Sequence, residues 1–498
     1  MSLSKPAITL KQNNSIRDLL RPYLKAHPPL TFEKHVKISS CSKEIKKGDI
    51  FFSFSHPDQH RFIQEALDKQ ASIVIVDKDT VLSSTERVCC VPDARLMYAK
   101  CLSILYDHTQ PPYIYAITGT NGKTSTAYFL YQLLIKKGVK AAYLGTTGFV
   151  CHDGHFTPQT PLPALTSPGA EVMHALCLEL YNHGFDSLVV EASSHGLDQK
   201  RLHGLTLTSG AFLNLTQDHL DYHTTMKDYF RAKKRLFDDF DLKDGGVINY
   251  DDPWARKLMH YPHTHTFGTH SDADFCLKKI TPTTQGTSLT LRIHAKMYDI
   301  SWPVLGTFQA LNLLAALAML SRRFCVEDLM RHVPHLQSPP GRMELYLYEH
   351  KKIVIDFAHT PDALEKALLE VKKIAATDAD ASVWVIFGCG GNRDKEKRAL
   401  MGAVADRLAD HIVLTNDNPR YEHPESIVYD IQKGIKKNTP HILLDRKKAI
   451  SFVISHMGPK DCLLIAGKGH ETTQIIQGTA YDLSDRQIVA DWVQQKTE

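Results

Sequence analysis

Apolar positions along the chain cluster in short continuous runs separated by amphipathic stretches, the pattern of strands buried on both faces and of helices that cover them. In a first zone, to about residue 108, "IFFSF" and "ASIVIVD" read as strands with helical segments between them. A second zone opens at "QPPYIYAITGTNGKTSTAYFLYQLLIKKG": a proline break, an apolar strand, a glycine-containing loop, then a helix. "SLVVEAS" and "GAFLNLT" follow as further strands. A third zone begins near "SPPGRMELY" and repeats the alternation in "KKIVIDFA", "PDALEKALLEVKKI", "SVWVIFG", "HIVLTND" and "DCLLIAG". No segment recurs at a fixed period. The expectation is an α/β protein of three units, spanning residues 1–108, 109–337 and 338–498.

Length agrees with that division, since 498 residues exceed one hydrophobic core and domains run to roughly 150 residues each. A net charge of +4 is small for this size and does not point to nucleic acid. The opening stretch "MSLSKPAITLKQNNSIRDLL" has no signal-like apolar core, and "LLAALAML" is too short to span a bilayer, so a cytoplasmic protein with no membrane partner is expected. Ten cysteines are scattered, with only Cys89 and Cys90 adjacent and no C-x-x-C pair, which suits reduced thiols.

The loop in "AITGTNGKTST" is a phosphate-binding pattern with Ile117 where the opening glycine would stand. Placed between strand and helix, the backbone amides from Gly119 through Thr120, Asn121 and Gly122 to Lys123 can face phosphates. Lys123 would add a mobile charge and Thr124 a hydroxyl for magnesium. The bland alternative is a glycine and threonine turn that caps a helix. Glu191 ends the apolar run of "VVEAS", where open α/β sheets bind ligands, and His219 follows the next run in "NLTQDHLDYH". Each alone could merely satisfy a loop backbone; with Thr124 they make a candidate metal cluster.

In "MKDYFRAKKRLFDDF", Met226, Tyr229, Lys233, Leu236, Phe237 and Phe240 share one helical face. Lys233 interrupts an apolar stripe. Either its ammonium snorkels to water, or desolvation lowers its pKa and leaves an amine able to take up carbon dioxide as a carbamate.

With these motifs in view the chain resembles the Mur ligases, ATP-dependent amide-forming enzymes of peptidoglycan synthesis, and within them the MurE type. "TGTNGKT" is the loop form of that family and of its folylpolyglutamate synthase relatives, and the likeness runs from "ITGTNGKTST" to "IAGKGHETTQ". It implies a central P-loop ATPase-like parallel or mixed sheet, a C-terminal Rossmann-like domain and an N-terminal domain that binds the UDP substrate. It also implies a monomer that uses ATP and Mg2+. Lys123 becomes the phosphate lysine, with Ser125 beside it. Thr124, Glu191 and His219 become magnesium-site residues, and Lys233 the carbamylated lysine, with Lys123, Lys233 and His219 as the catalytic set. Asn312, Arg342, Asp356 and His359 match nucleotide-contacting positions. Thr166, Ser167, Ser193, Gln199 and Arg201 match positions that hold the muramoyl dipeptide, Ser167 standing where the family usually has a second threonine.

The same resemblance assigns the amino acid. Asp417, Asn418, Pro419 and Arg420 form the D-N-P-R signature of enzymes that use meso-diaminopimelate, and the planar fork of Arg420 suits the second carboxylate that lysine lacks. Arg393, Gly467 and Glu471 complete that site, Glu471 toward an ammonium group. In the first zone Ser42 matches a uridine-site position. Cys41, Lys43 and Gln59 depart from the family's aspartate, arginine and glycine there.

The implied reaction joins meso-diaminopimelate to UDP-N-acetylmuramoyl-L-alanyl-D-glutamate through an acyl phosphate. Its rivals are a lysine-adding MurE-type ligase, a folylpolyglutamate-synthase-like ligase and a non-catalytic binding protein of the same fold; retention of Lys123, Thr124, Glu191, His219 and Lys233 argues against the last.

Overall fold

A computed structural model describes residues 10–24, 37–80, 87–152, 154, 156–283, 286–376 and 380–494. Three separate sheets organise the chain. In the first, strands Ile38–Ser39, Ile50–Phe52, Ile73–Asp77 and Val88–Val91 lie side by side in chain order, all parallel. Helix Gln59–Asp68 crosses from the second strand to the third, and helix Ala94–Leu105, which follows the last strand, packs on the sheet. Ile73 to Val76 are all buried, as expected of parallel strands covered on both faces.

The central sheet has ten strands, and its middle carries the loop. Tyr113–Thr118 runs parallel between Ser187–Glu191 on one side and Ser209–Phe212 on the other. Side chains alternate across it: Tyr115 and Ile117 pack with helices Lys123–Lys136 and Thr307–Leu320, whereas Ile114 and Ala116 pack with helices Ala170–Asn182 and Met226–Asp238. From Tyr113–Thr118 the chain passes to Ala141–Gly145 on one side, and from Ser187–Glu191 it crosses to Ser209–Phe212 on the other, so a crevice opens at the carboxyl end of Tyr113–Thr118. The strand in "GAFLNLT" stops at Phe212, and the remainder turns across the glycine loop: Thr120 N donates to Asn214 O at 3.0 Å and Asn121 N to Asn214 Oδ1 at 2.9 Å. Beyond the parallel part the sheet continues antiparallel through Phe275–Thr283, Gly286–Ile293 and Lys296–Trp302. Gly286–Ile293 and Lys296–Trp302 alternate more buried with more exposed residues, a period-two signal that a search for continuous apolar runs passes over.

The third sheet orders its strands Glu344–Tyr348, Lys351–Asp356, Cys462–Ala466, Val383–Phe387, His411–Leu414 and His441–Ile442; only the first pairing is antiparallel. A hairpin, Thr473–Ile476 with Thr479–Asp482, packs beside it. No helix among the described residues is long and apolar enough to cross a membrane.

Candidate active site

The glycine loop closes into a tight turn because two of its residues lack side chains. Gly122 has φ +88°, and a Cβ there would lie 2.4 Å from Asn312 Oδ1; one on Gly119, at φ +154°, would meet Leu213 Cβ at 3.0 Å. Helix Lys123–Lys136 starts directly after Gly122 with no side chain capping its first amides. Such an end is suited to an anion. The Lys123 ammonium folds back on its own loop, donating to Gly119 O and Thr120 O at 2.9 Å each. Enclosure lowers its pKa.

Lys233 reaches the same place from helix Met226–Asp238. It is 1% exposed, and its Nζ donates to Gly119 O at 2.8 Å while lying 4.6 Å over the Tyr229 ring. The side chain does not snorkel. Burial, and next the charge of Lys123, hold its pKa well below the ordinary lysine value. Of the stripe read from the sequence, Tyr229, Leu236 and Phe237 are buried with it, and Met226 is half-buried. Phe240 falls past the helix end, yet packs against the same cluster and against the His203 ring.

Glu191, also 1% exposed, accepts from Tyr143 Oη at 2.5 Å and Thr146 N at 2.9 Å through Oε1, and from Thr146 Oγ1 at 3.0 Å through Oε2. His219 stands at φ +53° with its ring edge-on to His195 at 5.0 Å. Thr124 Oγ1 lies 3.4 Å from Arg342 Nη2, whose guanidinium covers the Phe357 ring at 4.5 Å. A single cavity of about 560 Å3 gathers Thr120 to Ser125, Glu191, His219, Lys233 and Asn312 from the central unit with Arg342, Asp356, His359 and Arg393 from the third. The two units also touch directly, Asn121 Nδ2 donating to Asp362 Oδ2 at 3.1 Å. Asp356 is held by Met343 N and Ala358 N, both at 2.8 Å, and burial raises its pKa. Among the described residues no three His, Cys, Asp or Glu side chains gather as a metal group; the candidate set has two, plus a threonine hydroxyl and a lysine.

Of the dipeptide candidates, Thr166 and Ser193 line the cavity. Ser167 is buried, its hydroxyl donating to Glu191 O at 2.7 Å and accepting from Ser193 N at 2.9 Å. Arg201 Nη2 donates to Gln199 Oε1 at 2.7 Å, which makes one unit of that pair. Ser42 sits apart in the first sheet's domain and donates to Glu65 Oε2 at 2.7 Å.

The remaining candidates form a second cluster at the carboxyl end of the third sheet. Arg420 adopts φ +53°, pinned by its N–H to Ile475 O at 3.0 Å and by Gln477 N to its own carbonyl at 2.7 Å. Its Nη1 donates to Gly391 O at 2.9 Å; Nε and Nη2 take no partner among the described residues. Asn418 Nδ2 donates to Glu471 Oε2 at 2.9 Å. Asp417 Oδ1 accepts from Asn418 N at 2.6 Å, and Pro419 O packs on Gly391. Gly467, at φ +113°, leaves room for Asp417, whose Oδ2 would lie 2.6 Å from a Cβ there. Gly390 lies between Arg420 and Arg393: a Cβ on it would meet Arg420 Nη1 at 2.8 Å and Arg393 Cγ at 3.7 Å, so the two clusters adjoin.

Several participants escaped the sequence reading. Asn214 braces the loop, Tyr143 and Thr146 aim Glu191, and Lys366 lines the cavity. Asn214 stands within "NLTQDHLDYH", but no local pattern marks a loop brace. Lys468 lies inside "GKGHE" and is fully buried.

Comparison with known proteins gives the family. The Mur ligase middle domain model matches residues 117–320, and the Mur ligase, glutamate ligase domain model matches residues 341–469. The chain is 37% identical over 471 residues to the UDP-N-acetylmuramoyl-L-alanyl-D-glutamate--2,6-diaminopimelate ligase of Rickettsia conorii, covering 92% of this chain and 96% of that one. A solved structure of a ligase of that name superposes with a TM-score of 0.67 at 31% identity, covering 96% of this chain and 99% of the other. Folylpolyglutamate synthase of Mycobacterium tuberculosis, solved with ADP and AMPPCP, shares the fold at 18% identity and TM-score 0.59, over 76% of this chain and 92% of its own. With two domain models matched in order and a relative aligned almost end to end, the chain belongs to the Mur ligase family.

Proposed function

We propose that this chain is a MurE-type ligase that uses ATP to join meso-diaminopimelate to UDP-N-acetylmuramoyl-L-alanyl-D-glutamate in peptidoglycan precursor synthesis. The observation that carries the reading is the junction of the two clusters: the loop, Lys123 and Lys233 share one cavity with Arg393, next to the Arg420 and Glu471 site. In this reading residues 1–108 hold the UDP substrate, 109–337 bind ATP and 338–498 take the amino acid.

The donor set fits a hard cation: the Thr124 hydroxyl, Glu191 carboxylate and His219 imidazole line one cavity, and a carbamate on Lys233 would add an oxygen ligand. Magnesium held there would neutralise charge between the γ-phosphate and the incoming carboxylate. The loop amides and Lys123 bind the β- and γ-phosphates, and Arg342, Asn312, Asp356 and His359 keep the nucleotide between the two domains. Thr166, Ser167, Ser193, Gln199 and Arg201 orient the dipeptide so that its γ-carboxylate attacks phosphorus in line, giving ADP and an acyl phosphate. The amine of diaminopimelate then displaces phosphate, with its distal carboxylate on Arg420. Closure of the third domain keeps water from the acyl phosphate.

The test is phosphate release by the purified chain with ATP, magnesium and the UDP substrate, comparing meso-diaminopimelate with L-lysine. Turnover with diaminopimelate and little with lysine is expected. No turnover with either defeats the reading, and turnover with a folate substrate instead would move the chain to the synthases.

A further inference from the structure

Beyond the nucleotide cavity, the carboxyl end of the third sheet holds a lysine that the reaction above leaves without a role. Lys468 follows strand Cys462–Ala466, and its side chain is 0% exposed. Its ammonium donates to Thr473 O at 2.7 Å, Glu471 Oε2 at 2.8 Å and Asn418 Oδ1 at 3.3 Å. An ammonium has three donors and no acceptor, so these contacts use all of it.

The consequence falls first on Asn418. Its Oδ1 also accepts from Ile475 N at 2.9 Å, while its Nδ2 donates to Glu471 Oε2 at 2.9 Å. Turning the amide over would set its NH2 against the Lys468 ammonium and the Ile475 N–H, and its oxygen against a carboxylate. Lys468 thereby fixes the direction of the amide. Glu471 is fixed by the same contacts: Oε2 takes both donors, Oε1 takes none among the described residues, and the side chain is 33% exposed. The carbonyl of Asn418 lies 3.5 Å from Arg420 Nη1. An open carboxylate oxygen and an open guanidinium edge therefore share one support.

Resting on the diaminopimelate reading, we infer that Lys468 is a positioning residue for the incoming amino acid, holding Glu471 so that Oε1 receives the ammonium at the end of the substrate whose carboxylate Arg420 binds. Lysine as substrate would present an ammonium there without the carboxylate, so the pair reads both groups of one stereocentre. Lys468 touches neither group and acts through Asn418 and Glu471.

Lys468→Met keeps the length of the side chain and removes its donors. KM for meso-diaminopimelate should rise about tenfold or more, while KM for ATP and for the UDP substrate stays within about twofold. Transfer of label from ADP into ATP, which reports acyl-phosphate formation without the amino acid, should persist. Glu471→Gln should cost activity in the natural background and little more in Lys468→Met, because the carboxylate is no longer aimed. A purely structural lysine would instead lower the melting temperature and move all three KM values together; that result, or an unchanged KM for diaminopimelate, overturns the inference. Should Lys468→Met fail to fold, Lys468→Arg is measured in the same way: it keeps a buried cation but cannot set one point charge among three acceptors, and an unchanged KM there is equally fatal. Failure of the ligase reading is told apart, because it would show as absence of label transfer and amide formation in the unsubstituted chain.

Discussion

The Lys123 and Lys233 ammonium groups converge on one acceptor, Gly119 O, at 2.9 Å and 2.8 Å. Two like charges on a single carbonyl oppose each other, and the more buried one yields: the charge of Lys123 adds to burial in lowering the pKa of Lys233. The uncharged amine is the form that reacts with carbon dioxide. Lys233 should therefore carry a carboxyl group in the folded protein, visible by mass spectrometry under non-acidic conditions or as added density in a crystal. Lys233→Ala should lose roughly 10²–10³-fold in kcat, the scale of one lost electrostatic stabiliser, with partial rescue by small carboxylic acids. An unmodified ammonium, with turnover indifferent to removal of carbon dioxide and bicarbonate, would contradict this.

Lys123→Ala separates charge from fold. Its ammonium bonds only to carbonyls of its own loop, so its loss opens no core cavity. Stability should change by about 1 kcal/mol or less, whereas turnover should fall on the order of 10³-fold or more. Near-normal activity would mean that the loop does not hold the phosphates.

Under the proposed function, Arg420 decides between amino acids. Nη1 is tied to Gly391 O, which leaves the Nε and Nη2 edge for a carboxylate held by two bonds. A substrate lacking that carboxylate leaves a cation unpaired, so kcat/KM for lysine should fall on the order of 10³-fold or more below that for diaminopimelate, about 4 kcal/mol. Arg420→Lys should rescue little, because an ammonium cannot reproduce the fork. Arg420→Ala should lose most diaminopimelate activity and narrow the preference. An unchanged ratio in Arg420→Ala would remove the residue from the specificity site.

His174 makes stability depend on acid. It is 2% exposed, stacks on Tyr106 at 6.2 Å and bonds His203 O at 3.0 Å; burial pushes its pKa down from 6.5 to about 4. Between those values the unfolded chain binds a proton that the folded chain refuses. Its contribution is thus complete above pH 6.5 and is lost as the pH falls toward 4. At full effect the loss is about 3 kcal/mol. Urea unfolding at neutral pH and at mildly acid pH should show a smaller acid loss in His174→Gln than in the natural chain, and equal losses would refute it.

For Ser42, the hydroxyl already serves Glu65 Oε2. Ser42→Ala should raise KM for the UDP substrate with little change in kcat, the mark of uniform binding lost. A fall in kcat alone would give the first domain another task.

The sequence by itself determined what is local. A continuous apolar run, two glycines and a lysine-threonine step specify strand, tight turn and helix, because period and backbone freedom act within a few residues. Helical spacing likewise put Lys233 on the buried face of its helix, and "DNPR" marked the arginine with its neighbours. Only the tertiary structure decided the encounters. Lys233 is 114 positions from Gly119, and nothing in either stretch encodes their contact; it exists because Ser209–Phe212 lies beside Tyr113–Thr118 and aims the following loop and helix at the turn. The same holds for Asn214 under the loop, for Arg393 lining the loop's cavity from the third unit, and for the Lys468 ammonium that takes one oxygen of Glu471. The order of strands in a sheet sets these distances, and it follows from packing summed over the whole domain rather than from any one segment.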